Sequence, residues 1–417
     1  MQADENSAAR VEELRGEIDA TDRQLVELLN RRASLAAAVG QVKRDAGQAV
    51  YRPEREEQVL AQAAARSGGP LGAAAIRAIF SEVISACRSL ERDVRVGYLG
   101  PPGTFTHEAT LRKFGASATM VACGTIEEVF REAERGNVEY GVIPVENSTA
   151  GSVVPTLEAF LESSLQVCAE IELPIVHNLF SRGQLSEIRR VYSHPQSFAQ
   201  CRRWLAEHLP QAEQVTVASN SLAVKIVAAN DVGEAAPSDS HKRGDAAPAS
   251  LETGGRGDGA IGPEAAGRLY GVPILVSHIE DSTVNVTRFL VLGRERSART
   301  GRDKSAIVFS IKNRPGALRD ALDVFASRGI DLTWIESRPL KRDLWQYAFF
   351  VDLVGHPDDA TVGEALRELE AEAVFLKVLG AWPMAPQAGQ VASAGRAGAP
   401  EPLGSMGREH DGVSEAK

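Results

Sequence analysis

From Ser7 to Val42 the chain carries Val11, Leu14, Ile18, Leu25, Leu28, Leu29, Leu35 and Val39 at three- and four-residue steps, with no proline among them. Only an α-helix gathers that spacing on one face, and at 1.5 Å per residue such a helix is about 50 Å long. It outreaches a small domain, so the far end of its stripe needs cover from another body, and a second copy of the chain is the expectation. Pro53 opens a second helix, Glu54 to Arg66, which Gly68-Gly69-Pro70 ends. Leu71 to Glu91 carries a third stripe through Ile76, Ile79, Phe80, Val83, Ile84 and Leu90. Residues 7–92 therefore predict an all-helical domain.

At Val94 the texture changes. Val94-Arg95-Val96-Gly97-Tyr98-Leu99-Gly100 reads as a strand, and helical patterns then alternate with runs such as Tyr140-Gly141-Val142-Ile143-Pro144-Val145, which predicts an α/β domain over 94–293. Ligands in such sheets collect at loops after strand ends, where Gly103-Thr104-Phe105 and Glu146-Asn147-Ser148 fall. Residues from about 231 to 258 hold almost no large apolar side chain and are expected to be an unstructured insertion. Over 304–383 the order strand, helix, strand, strand, helix, strand predicts a ferredoxin-like domain, followed by an Ala/Gly/Pro-rich tail over 384–417 expected to be disordered.

The 46 Lys and Arg against 56 Asp and Glu leave a net charge of −10, which disfavours a nucleic-acid partner. No run approaches the roughly 18 apolar residues of a membrane span, and the acidic start Met1-Gln2-Ala3-Asp4-Glu5-Asn6 lacks the pattern of an export signal. Cys87, Cys123, Cys168 and Cys201 are too widely spaced for a disulfide framework or a CxxC site, so a cytoplasmic protein with buried thiols is expected. His107, His177 and His194 match no metal-ligand spacing; neither a metal nor another cofactor is expected. Cys201 reads as core rather than nucleophile, and Glu146 either tunes a site or braces its loop.

Leu14-Arg15 with Ile18-Asp19, then Leu28-Leu29-Asn30-Arg31-Arg32, Val42-Lys43 and Arg52-Pro53-Glu54-Arg55-Glu56 together resemble the all-helical chorismate mutase family, over essentially the whole of 7–92. Taken singly, each basic residue could equally snorkel to water. The resemblance implies a pericyclic rearrangement of chorismate to prephenate that needs positioning and electrostatics but no nucleophile. It implies that Arg15, reaching into a partner protomer's site, Arg32 and Arg55 grip carboxylates, that Lys43 faces the ether oxygen, and that Glu56 meets a substrate hydroxyl. Arg52 stands where enteric members have Asp, Cys87 where they have Ser, and Glu91 where they have Gln; Arg52 and Cys87 become secondary substrate contacts. An ionised Glu91 would repel charge developing on the ether oxygen and a protonated one would donate to it. Either the mutase step improves toward acid pH through a protonated Glu91, or Glu91 is a solvated carboxylate at a helix end.

Gly97-Tyr98-Leu99-Gly100-Pro101-Pro102-Gly103-Thr104-Phe105-Thr106, Val142-Ile143-Pro144-Val145-Glu146-Asn147-Ser148, Tyr192-Ser193-His194-Pro195-Gln196 and Asn285-Val286-Thr287-Arg288-Phe289 occur in an order that resembles prephenate dehydratase, from about Arg95 to Leu292. The resemblance implies a two-lobed fold like a periplasmic binding protein, with one lobe from 94–172 plus 272–292, the other from 173–271, and substrate between them. Loss of CO2 and the ring hydroxyl then falls to Thr287 as proton donor or hydroxyl-orienting group. Arg288 would be the cationic partner of a carboxylate, Phe289 a further substrate contact, and Thr104, Asn147, Ser148 and Gln196 hydrogen-bonding groups. Read without the other motifs, Thr287-Arg288-Phe289 is an ordinary strand with alternating faces, and His194 is a structural hydrogen-bonding residue.

Asn313-Arg314-Pro315-Gly316-Ala317-Leu318 and Glu336-Ser337-Arg338-Pro339 resemble the phenylalanine-sensing signatures of ACT domains. Asn313, Gly316, Ala317, Leu318, Glu336, Ser337, Arg338 and Pro339 would bind L-phenylalanine across a dimer interface, where backbone N–H groups at a helix start favour a carboxylate. Arg319 replaces the Val common in enteric members. The order of domains matches the bacterial P-proteins, bifunctional enzymes that turn chorismate into prephenate and prephenate into phenylpyruvate. A homodimer or higher oligomer inhibited by L-phenylalanine is thus expected. An arogenate-preferring dehydratase and a non-catalytic amino-acid sensor remain as alternatives.

Overall fold

A computed structural model describes residues 2–45, 52–230, 257–282, 284–340 and 346–384. The helical domain is α1 (Gln2–Asp45), α2 (Pro53–Arg66) and α3 (Ala73–Glu91). α1 starts earlier and ends later than the periodicity indicates, because the polar residues at both ends are as compatible with a helix as the stripe between them. α3 lies against both other helices. Its end approaches α1 so closely that a Cβ on Gly40 would fall 2.7 Å from Glu91 Cγ. The stripe of α1 is left largely uncovered in a single chain, with Leu28, Leu35 and Val42 more than 60% exposed. Buried Arg88 joins this domain to the next: Nη1 donates to Glu56 Oε2 at 2.8 Å and Nη2 to the Phe114 carbonyl at 2.6 Å.

The α/β domain forms two lobes. The first contains β1 (Arg95–Leu99), α4 (Phe105–Phe114), β2 (Thr119–Cys123), α5 (Ile126–Arg135), β3 (Tyr140–Asn147), β4 (Gly151–Ser152), α6 (Val154–Glu162) and β5 (Gln166–Pro174). The second contains β6 (Asn178–Phe180), β7 (Arg190–Ser193), α7 (Pro195–Gln200), α8 (Arg202–His208), β8 (Glu213–Thr216), α9 (Asn220–Asn230), β9 (Asp258–Gly262), α10 (Glu264–Tyr270) and β10 (Ile274–Val276). The chain then returns to the first lobe as β11 (Val286–Gly293), inserted antiparallel between β3 and β5. β10 pairs with β6, so the return lies beyond 276 rather than at the expected 272. The two crossings are tied together where Ile175 N donates to Asn285 O at 2.8 Å and Ile279 N to His177 O at 3.0 Å. Most of the expected insertion lies outside the described residues; its last residue, Asp258, opens β9 and is buried beside Arg190.

The third domain is β12 (Asp303–Ile311), α11 (Ala317–Ala326), β13 (Leu332–Pro339), β14 (Tyr347–Val354), α12 (Ala360–Glu372) and β15 (Ala373–Pro383), in sheet order β13-β14-β12-β15. That is the expected βαββαβ arrangement. β15 also meets β5 in parallel at Gly380 and Val167, which fuses the sheets of the first lobe and the third domain into one of ten strands. A Cβ on Gly380 would lie 2.2 Å from Val167 O, so only glycine allows the junction. One core runs through it, from Phe130 and Phe160 to Val308, Phe350 and Trp382. Residues 385–417, nearly the whole expected tail, lie outside the described residues.

Candidate functional site

β11 and β3 run side by side with Thr287 opposite Asn147 and Arg288 opposite Glu146. Successive side chains of a strand point to opposite faces, and this divides the Thr287-Arg288-Phe289 motif. Thr287, half-buried, accepts a hydrogen bond from Asn147 Nδ2 at 2.8 Å. Asn147 is buried; its Oδ1 accepts from the Thr149 and Ala150 backbone N–H groups and from the Thr149 hydroxyl. Ser148 stands beside them but uses its hydroxyl twice, donating to Val284 O at 3.2 Å and accepting from Val286 N at 3.0 Å. The first strand–helix loop does not supply a spare donor either. Thr104 caps α4, accepting from His107 N and donating to Leu99 O.

Arg288 faces the other way, which corrects the expectation that it meets a substrate carboxylate. Its guanidinium pairs with Glu170 on β5 at 3.0 Å and with Asp352 on β14 at 2.5 Å, its side chain 11% exposed. It lies within 6 Å of the ring centres of Trp334 and Trp382. Lys304 adds a second cation 3.2 Å from Glu170. Burial alone would push the Glu170 carboxyl up, but Arg288 and Lys304 together hold it below its ordinary value. Phe289, fully buried among Val94, Val96 and Val291, is likewise core and not a substrate contact.

On the facing lobe His194 caps α7 through its ring, accepting from Gln196 N at 3.3 Å, and burial holds its imidazole below the ordinary value. It is a structural hydrogen-bonding residue, as expected from a spacing that matches no metal-ligand pattern. Asn220 Oδ1 gathers the same turn, accepting from Ser193 Oγ, His194 N and Ser197 Oγ, each at 3.1 Å. Gln196 itself lies exposed in the first turn of α7. The lobes are bridged at the other end of α7, where Gln200 Nε2 donates to Thr149 Oγ1 at 3.0 Å. No role was expected for Thr149, Gln200 or Asn285; Asn285 opens a quoted motif and Thr149 directly follows one, whereas nothing local marks Gln200. A cavity of about 300 Å3 opens elsewhere at the lobe junction, lined by Phe105, Glu108, Asn178, Glu264 and His278. It includes none of the expected dehydratase residues. Burial, reinforced by Glu264, pushes the Glu108 carboxyl up, and a pair of carboxylates is a poor receptor for a dianion.

In the helical domain the structure brings Lys43 and Glu91 together, Nζ to Oε2 3.7 Å, both largely buried. Glu91 Oε2 accepts no hydrogen bond among the described residues. Arg52 precedes α2 and Arg55 lies in its first turn, both exposed; Arg32 is half-buried on α1. Arg15, exposed on the uncovered part of α1, pairs among the described residues only with Glu12 of its own helix, at 3.4 Å. Cys87 is buried. Glu56 is buried in its ion pair with Arg88, committing one of its oxygens inside the protein.

In the third domain Gly316 takes a left-handed φ of 81° and begins α11, followed by Ala317 and Leu318. Asn313 stands before it, and Glu336, Ser337, Arg338 and Pro339 end β13. Glu336 reaches the α/β domain: its Oε2 accepts from Ser152 Oγ at 2.9 Å. Ser152 is on β4, which pairs with the end of β3 so that Gly151 lies opposite Asn147.

Three sequence families match the chain in order: chorismate mutase type II over residues 14–92, prephenate dehydratase over 96–297 and ACT domain over 305–371. A bifunctional chorismate mutase/prephenate dehydratase of Aquifex aeolicus is 41% identical over 380 residues, covering 90% of this chain and 98% of that protein. Among solved structures, a prephenate dehydratase from Arthrobacter aurescens in complex with L-Phe superposes with a TM-score of 0.60 at 31% identity, over 73% of this chain and 96% of that one. GqqA, described as a novel type of quorum quenching acylase, gives 0.59 at 26% identity, over 70% and 98%. No helix among the described residues is long and apolar enough to cross a membrane.

Proposed function

The chain belongs to the family of bifunctional chorismate mutases/prephenate dehydratases, and from that premise we propose how its residues divide the two reactions and their control. The observation that carries the dehydratase assignment is the contact between Asn147 and Thr287 across β3 and β11. Asn147 donates to Thr287 Oγ1, which leaves the Thr287 proton available to a substrate acceptor. As the ring–carboxylate bond of prephenate breaks, its electron pair enters the ring and CO2 departs. The ring aromatises and the C–O bond breaks; Thr287 Oγ1 passes its proton to the departing hydroxyl, which leaves as water, and Thr287 regains a proton from solvent. Gln196 on the opposite lobe supplies a further donor. Thr287→Ala should abolish phenylpyruvate formation from prephenate and leave the mutase rate unchanged; retained dehydratase turnover would refute the assignment.

For the mutase, Arg32 and Arg55 bind the carboxylates of chorismate with Arg15 of a second copy, and Lys43 serves the ether oxygen. The uncovered stripe of α1 supports this dimer, because isolated apolar faces of that length seek a partner. The Glu91 carboxylate, 3.7 Å from Lys43, holds that ammonium in place beside the ether oxygen.

Regulation follows from Glu336. L-phenylalanine bound by Asn313, Gly316, Ala317, Leu318 and the Glu336-Ser337-Arg338-Pro339 strand end would draw on the carboxylate that now holds Ser152, and Ser152 is paired to the strand end bearing Asn147. Inhibition requires only that the effector bind better to the state with the less competent dehydratase. Ser152→Ala should weaken inhibition by phenylalanine with little change in uninhibited turnover; unchanged inhibition would remove this route.

A further inference from the structure

Backbone amides fix the direction of every hydrogen bond behind Thr287. Asn147 Oδ1 accepts from the N–H groups of Thr149 at 3.1 Å and Ala150 at 2.9 Å, which can only donate. The amide nitrogen of Asn147 is thereby turned to Asn285 Oδ1 and Thr287 Oγ1, each at 2.8 Å. The Thr149 hydroxyl, 2.7 Å from the same Oδ1, has to donate to it. Thr149 Oγ1 then offers only lone pairs to Gln200, which presents Nε2 at 3.0 Å. Gln200 Oε1 is left 2.7 Å from His177 Nε2, and a hydrogen bond there requires the proton on Nε2. Donation therefore runs one way, from His177 through Gln200, Thr149 and Asn147 to Thr287.

His177 occupies the point where both lobe crossings meet. It is 1% exposed, edge-on to the Phe105 ring, with Nδ1 unpartnered among the described residues. Its backbone N–H donates to Glu280 Oε2 at 2.9 Å and its carbonyl accepts from Ile279 N at 3.0 Å. The Gln200 carbonyl in turn accepts from Asp281 N at 2.7 Å, so the bridging glutamine is anchored to the same crossing.

We infer that His177 is a positioning residue of the dehydratase: its Nε2–H orients the Gln200 amide and, through Thr149 and Asn147, turns the Thr287 proton toward the departing hydroxyl. The inference rests on the assignment of Thr287 made above. Three side chains separate His177 from Thr287, so the imidazole acts by orientation and exchanges no proton with substrate. Burial holds the ring below its ordinary value, against the opposing pull of Gln200 and Glu280, and the neutral tautomer persists at neutral pH.

The test uses the full chain, with the mutase rate as an internal measure of folding. His177→Phe keeps an aromatic ring and deletes the donor. It leaves the half-buried Gln200 amide oxygen without its donor and the amide free to turn, so dehydratase kcat should fall roughly ten- to hundredfold while KM for prephenate stays within about threefold. His177→Gln returns an N–H close to the Nε2 position and should recover most of that loss. Unchanged kcat in His177→Phe, a loss confined to KM, or no recovery in His177→Gln would each overturn the role. Nitrogen-15 resonances of the native histidines give a readout that no variant's folding can obscure. Nε2 protonated and Nδ1 bare is expected at His177, and the reverse tautomer would contradict the chain. If Thr287→Ala retains turnover the Thr287 assignment has failed; if it is inactive and His177→Phe is not impaired, only the positioning role has.

Discussion

Replacing Arg288 by Met separates two readings of one motif. If the guanidinium binds substrate, its loss falls on prephenate turnover; if it is the buried tie described here, the loss falls on the joint between the dehydratase and ACT domains. Exposed ion pairs contribute about 0–1 kcal/mol, but the Arg288, Glu170 and Asp352 side chains are only 11%, 4% and 2% exposed. Removing one partner of a pair buried to that degree costs roughly 3–5 kcal/mol, because a charge is left unpaired inside the protein. Glu170 keeps Lys304 at 3.2 Å, so the stranded group is Asp352. Arg288→Met should therefore lower Tm by about 6–20 °C, at about 2–4 °C per kcal/mol for a unit of this size. Arg288→Met combined with Asp352→Leu should recover about half of the loss. Thermal unfolding followed by tryptophan fluorescence suits the assay, because Trp334 and Trp382 flank the guanidinium. An unchanged Tm with a collapse of kcat/KM for prephenate would refute the reasoning and return Arg288 to the substrate.

Glu91→Gln, which replaces the carboxylate 3.7 Å from Lys43 with an amide that can donate, should raise the mutase kcat at neutral pH; an unchanged kcat would show that Glu91 takes no part. Stability should also depend on pH through His177. Its folded form is held below the ordinary 6.5, so the unfolded chain binds the extra proton; stability is complete above pH 6.5 and declines as pH falls, by up to about 1.4 kcal/mol per pH unit for that one group. Urea titrations between pH 7 and 5 measure it, and His177→Phe should remove that share of the slope.

The helical domain, the α/β alternation and the ferredoxin-like order were all legible, because each is written in short-range periodicity that burial then enforces. The lobe boundary was misplaced since β10 is three residues long, and whether so short a strand joins one sheet or the other depends on contacts distant in sequence. The same limit explains the site. Thr287 and Asn147 were visible as motif members, but their contact spans 140 residues, and the partners that orient them, Gln200 and His177, sit in a helix end and a crossing without local marks.

Arg288 was misassigned for a different reason. The resemblance gives all three residues of Thr287-Arg288-Phe289 a substrate contact, whereas a strand with alternating faces, the other reading of the same tripeptide, divides consecutive residues between two faces. One face carries the Thr287 hydroxyl, to which the dehydratase step is assigned in the proposal above; the other carries the charge that fastens β11 to β14 of the ACT domain. The two roles are adjacent because β11 lies between β3 and β5, and β5 is the strand that β15 joins. A displacement of the ACT sheet acting on Arg288 would thus move the backbone next to Thr287, and this second path is independent of the Ser152–Glu336 contact. Phenylalanine inhibition in Asp352→Asn distinguishes the paths: sensitivity lost only in Ser152→Ala assigns control to the β3–β4 pairing, and sensitivity lost in Asp352→Asn assigns a share of it to β11.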